Sequence, residues 1–217
     1  MPIPTKYLAD FEDGKIYHVF KRTNNNERLF INEDNHRFFL KKYTQYLSPY
    51  TDTLAWCLLT NHFHLLIRVK STELITNYLS SQDTHAVSTT EKRFLSGLIT
   101  LSELIESAFK RFFQSYALAF NKVHNRKGNL FYKPFKRLEV ANDSHFTSVV
   151  VYIHTNPRKH KIVTDFRTWR WSSYQSYLHD LENESHADIV EWLGGKEQFV
   201  KMHEDVLEES SDYIIEE

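Results

Sequence analysis

Two histidines, His62 and His64, lie two residues apart inside the apolar run LLTNHFHLLI. Side chains alternate faces along a strand, so both imidazoles point the same way, with Cβ atoms roughly 6 to 7 Å apart. One metal ion can bridge that span, and so can a pair of solvated or hydrogen-bonded histidines. Far along the chain, VVVYIHTNP carries Tyr152 and Asn156 at i and i+4. On a helix that spacing presents a phenol and a neutral oxygen ligand on one face. Together these residues give a three-ligand metal site, His62, His64 and Asn156, with Tyr152 beside it as a nucleophile. An unperturbed phenol has a pKa of about 10 and is only about 10⁻³ ionised at pH 7, so attack needs a base, a proton acceptor or a metal field. Three neutral ligands leave a divalent ion its full charge and open positions for phosphate oxygens. Mg²⁺ prefers oxygen and Mn²⁺ accepts imidazole more readily; either fits, with Mg²⁺ favoured by abundance.

Positioning these groups requires a scaffold, and the 217 residues with 41% apolar content are enough for a core. The stretch GKIYHVFKR, 14 to 22, alternates as a first strand before a turn at NNNE. Apolar positions from Asn32 or Glu33 to about Leu47 recur at helical spacing. DTLAWCLL and HFHLLIRVK read as a hairpin joined by Thr60 and Asn61, with Asn61 suited to positive φ. A short helix is expected around Glu73 to Leu79, a loop over SSQDTHAVSTTEKR, and a long helix from about Leu98 to Val123. LFYKPFKRLEV reads as a broken or edge strand because Pro134 cannot donate to a ladder. The helix after Asp143 or Ser144 is expected to end near Asn156, where it meets Pro157. This order is that of an α+β fold, a ferredoxin-like βαββαβ sandwich with an antiparallel sheet. A C-terminal helical extension, aromatic at WRWSSYQSYL and broken at Gly194 and Gly195, follows over 162–217.

The net charge of −1 conceals an asymmetry. Residues 108 to 161 hold 11 basic and 2 acidic side chains, whereas 162 to 217 hold 4 and 14. A cationic block interleaved with aromatics suits phosphate binding and base stacking, although most of its phenylalanines read as core. Arg22, Lys133, Lys136, Arg137, Arg158 and Lys159 are the candidate DNA contacts, because they flank the inferred site or belong to the block. His124, His145, His154 and His160 have no distinguishing spacing and read as surface or phosphate-side residues, and Trp169, Trp171, Tyr174 and Tyr177 read as packing. The single cysteine, Cys57, excludes an internal disulfide, and its apolar setting reads as packing. No apolar stretch approaches a membrane span and the first 15 residues show no signal pattern, so a soluble, cytoplasmic protein with no membrane partner is expected.

TNHFHLLI resembles the histidine, hydrophobic, histidine motif of the HUH superfamily. YIHTNP followed by WRWSSYQSY resembles the downstream signature of its single-tyrosine transposases, particularly the REP-associated tyrosine transposases, and GNLFYKPFKRLEV resembles a segment between those motifs. The resemblance spans about residues 14 to 180 and assigns a catalytic domain to 1–161. It departs from the family at Thr60, where a proline usually precedes the Asn-His pair. It implies cleavage and rejoining of single-stranded DNA at hairpin-marked sites, with Tyr152 forming a 5′-phosphotyrosine and His62, His64 and Asn156 holding the metal. It leaves open a homodimer, with the tyrosine acting in its own or a partner's site. Two alternatives remain: a domesticated hairpin-DNA-binding protein without transposition, and an HUH nickase in replication initiation.

Overall fold

The structure, a computed structural model, describes residues 4–132, 134–179 and 189–208. Its first strand, β1 (Ile16–Arg22), is followed by α1 (Glu33–Leu47), β2 (Thr51–Leu58) and β3 (His62–Val69). Then come α2 (Thr72–Ser81), α3 (Thr89–Leu95), α4 (Leu101–Val123), β4 (Lys136–Glu139) and α5 (Asp143–Lys159). After these, α6 (Tyr174–His179), a helical stretch over 189–192 and α7 (Lys196–Glu208) complete the described chain. The sheet runs β2-β3-β1-β4 with every neighbouring pair antiparallel, which is the ferredoxin-like order. β4 takes the edge, where Pro134 just before it removes no ladder bond.

Alternation along the strands gives the sheet two faces and two cores. Tyr17, Val19, Phe63, Leu65 and Ile67 pack with Phe39 of α1 and Ile105, Phe109 and Phe112 of α4. Ala55, Cys57 and Leu66 lie on the other face against Val149, Val150 and Ile153 of α5. A bulge between Thr53 and Ala55 brings β2 into this pattern. The C-terminal segment shares the second core: Phe166, Tyr174, Tyr177 and Phe199 are fully buried in it. Gly194 and Gly195, both at φ 91°, interrupt the helical chain before α7.

Local details depart from expectation in three places. The stretch taken as a loop holds the start of α3, which begins on a reciprocal capping box between Ser88 and Glu91 and is tied to the core by a Tyr50–Glu91 hydrogen bond. Asn61 does not adopt positive φ. The connection spans Leu59 to Asn61, and its carbonyls are taken by other segments: Leu29 N–H donates to Thr60 O (2.8 Å) and Thr23 N–H to Asn61 O (3.0 Å). Tertiary bonds therefore set the turn. Finally, α5 continues through Pro157 to Lys159. A proline removes one helical donor, but the chain recovers at once, with His160 N–H donating to Asn156 O and Ile162 N–H to Pro157 O, each at 2.9 Å. Lys161, at φ 55°, ends it.

Candidate active site

Register brings the first half of the site together. In β1 and β3, Phe20 lies opposite His64 and Arg22 opposite His62. The imidazoles of His62 and His64 share the α5 face with ring centroids 5.2 Å apart. His62 Nδ1 lies 2.7 Å from Asn61 Oδ1. The oxygen can only accept, so Nδ1 carries the proton and Nε2 holds the lone pair. His64 Nδ1 is 2.9 Å from Nε2 of His18, one residue pair further along the sheet, so one of these rings donates and the other accepts. Burial pushes the His18 pKa down to about 3, with a smaller contribution from His145, and keeps that ring neutral.

The second half comes from α5, whose residues 152, 156 and 160 form one stripe at helical spacing. Tyr152 meets His64 edge-on at 5.4 Å between centroids and His18 at 6.0 Å. Two turns later, His160 meets His62 at 4.7 Å. Asn156 lies between them on the stripe, fully buried, and neither Oδ1 nor Nδ2 has a hydrogen-bond partner among the described residues. A buried amide without partners costs of order 1–3 kcal/mol. Among the described residues no group of three or more His, Cys, Asp or Glu could hold a metal ion; the third ligand expected from the sequence is the Asn156 amide. Two imidazoles and an amide oxygen suit a divalent ion of intermediate softness.

The candidate DNA-contacting side chains separate into groups. Arg22 and Lys136 line a cleft of about 70 Å³ with Phe20, Lys21, His62, His64, Tyr132 and Pro134. Lys136 lies opposite Phe20 in the β1–β4 ladder, on the site's face, with Nζ 5.3 Å from that ring. Lys159 Nζ lies 4.9 Å from the centre of the Tyr152 ring, and Arg158 is exposed beside it. Arg137 is the exception. It lies opposite Val19, on the other face, where its guanidinium is buried against Glu106 of α4 (2.5 Å) and hydrogen-bonded to Ala9 O. A one-residue step along a strand reverses the face, so the basic pair Lys136 and Arg137 supplies one cleft residue and one structural brace. Lys133 lies outside the described residues.

Sequence reasoning missed His18 and His160. Alternation in IYHVFKR groups His18 with Phe20 and Arg22, but only the β1–β3 register puts that face beside His64. His160 had no signal while the helix was expected to stop at Asn156; eight residues beyond Tyr152, it joins the stripe only because α5 passes through Pro157.

No family model matches the chain, and no curated protein does. Among solved structures, that of a REP-associated tyrosine transposase bound to a REP hairpin aligns with a TM-score of 0.57 and 13% identity, covering 78% of this chain and 82% of that one. In fold, the chain is similar to that transposase. The likeness to the transposase agrees with the mixed architecture and the four-stranded antiparallel sheet. No helix among the described residues is long and apolar enough to cross a membrane.

Proposed function

We propose that the protein is a metal-dependent transposase that cleaves and rejoins single-stranded DNA at hairpin-marked sites through Tyr152. The observation that carries this reading is the edge-on contact of Tyr152 with His64, beside His62, with the buried, partnerless Asn156 one turn further along the same stripe of α5. The similar structure is of a transposase bound to a REP hairpin, which supports DNA as the partner.

In this reading Tyr152 Oη attacks the scissile phosphorus, forming a phosphotyrosine while the bond to the 3′ oxygen breaks. The phenol proton is lost and the departing 3′ oxygen gains one, so the phosphodiester energy is kept for rejoining. His62, His64 and Asn156 are the residues that would hold Mg²⁺ or Mn²⁺, which when bound supplies positive charge to the phosphate oxygens. The chain's own contribution is orientation. Asn61 fixes the His62 tautomer, His18 braces His64, and the packed stripe of α5 sets the tyrosine against them. Arg22, Lys136, Arg158 and Lys159 carry the DNA backbone across the site.

The test is incubation with Mg²⁺ or Mn²⁺ and labelled single strands from DNA flanking the protein's own gene. A denaturation-resistant adduct mapped to Tyr152 by mass spectrometry, and lost with a chelator, is the expected result. Tight hairpin binding with no adduct under any of these conditions would favour the domesticated binding protein instead.

A further inference from the structure

The cleft beside His62 and His64 has an aromatic rim that the cleavage reading does not use. Of the large apolar side chains exposed among the described residues, Tyr132 alone lines this cleft, and it is 43% exposed. Its backbone is pinned from both sides: its N–H donates to Arg22 O (3.0 Å), and its C=O accepts from Lys21 Nζ (2.7 Å). Arg22 in turn sets its guanidinium 5.9 Å from the ring centre. An exposed ring on a fixed backbone, backed by a cation, contributes little to the core and is prepared for a planar ligand.

Chemistry assigns the parts. The cleft's cationic and imidazole side chains, Lys21, Arg22, Lys136, His62 and His64, suit a phosphate, and the Tyr132 ring beside them suits a base. A nucleotide whose phosphate entered between Lys136 and His62 would leave its base at the rim. We propose that Tyr132, backed by Arg22, is a stacking subsite for an unpaired base adjoining the cleaved phosphate, an inference that rests on the cleavage reading for which phosphate that is. Stacking uses the π-face common to all bases, so the subsite selects single-stranded over paired DNA and is tolerant of sequence.

The test uses single strands from the gene's flanking DNA, each carrying 2-aminopurine at one position, with Tyr132→Ala and Tyr132→Phe beside the wild type. Stacking predicts fluorescence quenching at one position in the wild type and in Tyr132→Phe. In Tyr132→Ala the quenching should disappear and affinity should fall on the order of 5- to 100-fold, with the thermal midpoint unchanged. Unchanged quenching and affinity in Tyr132→Ala would overturn the subsite. Adduct formation by the wild type is scored on the same strands. An adduct with no effect of Tyr132→Ala removes the subsite alone, quenching without an adduct removes cleavage alone, and neither binding nor adduct removes both.

Discussion

Helix α5 separates two groups of buried histidines that are completed in different ways. Behind it, His203 Nδ1 donates to Phe199 O (2.7 Å), His154 Nδ1 lies 2.9 Å from His203 Nε2, and His154 Nε2 lies 2.8 Å from Ser173 Oγ. The carbonyl at one end can only accept, which fixes the proton order: His203 to Phe199, His154 to His203, Ser173 to His154. Ser173 Oγ then accepts Trp56 N–H at 2.9 Å, tying α5 and α7 to β2. In front of α5, the Asn156 amide is buried with no partner among the described residues, and His18 Nδ1 is in the same state. A closed network rigidifies a core, whereas a buried group left open costs stability unless a water or a ligand satisfies it.

The largest expected effect on this contrast is at Tyr152. Tyr152→Phe should reduce covalent adduct by at least about 10³-fold, the scale of losing a nucleophile, while hairpin affinity stays within about twofold. Adduct at wild-type yield would move the nucleophile elsewhere. Next in size is the pair on β4. Arg137→Glu faces Glu106 with a like charge in a buried setting and should cost about 3–5 kcal/mol in denaturant unfolding. Lys136→Glu loses cation–π contacts with Tyr7 and Phe20 and should cost only about 1–2 kcal/mol, while weakening DNA binding about tenfold with a shallower salt dependence. If the two exchanged these phenotypes, the faces of β4 would be misassigned.

Smaller effects compare the networks directly. His203→Leu strands the His154 donor and should cost about 2–3 kcal/mol, read as a fall in unfolding midpoint. Asn156→Ala removes a polar group that has no partner to lose; stability should hold or rise by about 1 kcal/mol while adduct formation falls more than tenfold. The smallest contrast is in pH. Burial pushes the His203 pKa from 6.5 down to about 4, against a smaller upward pull from Phe199 O. The unfolded chain then takes up the proton first, so stability is full above about pH 6.5 and falls as pH drops toward 4, by about 3 kcal/mol in all. His154, Tyr174, Phe166 and Phe199 surround the ring, and none carries a negative charge at these pH values to offset the loss. Urea unfolding at pH 7 and pH 5 should show a smaller difference in His203→Leu than in the wild type.

Much of this was legible in the sequence where its signal is periodic or chemical. Alternation put His62 and His64 on one face, helical spacing put Tyr152 and Asn156 on another, and the element order matched the observed sheet. Signals that depend on a partner were not legible. α3 was half legible: its capping box, Ser88 to Glu91, is a local signal that the loop reading of residues 80–93 passed over, whereas the Tyr50 hydrogen bond that holds Glu91 comes from 41 positions away. Arg137 read as a DNA contact because its charge was visible and Glu106 was not yet beside it.

The sequence by itself determined which groups share a face and which segments can form strands and helices, because alternation and the 3.6-residue turn are local properties of the backbone. Only the tertiary structure decided that the face of β1 lies beside β3 with His18 against His64. Only it carried α5 past a proline so that His160 reaches His62, and it divided two adjacent cations between a cleft and a core. Those outcomes turn on register, burial and long-range partners, whose free energies arise between segments and leave no periodic mark within either one.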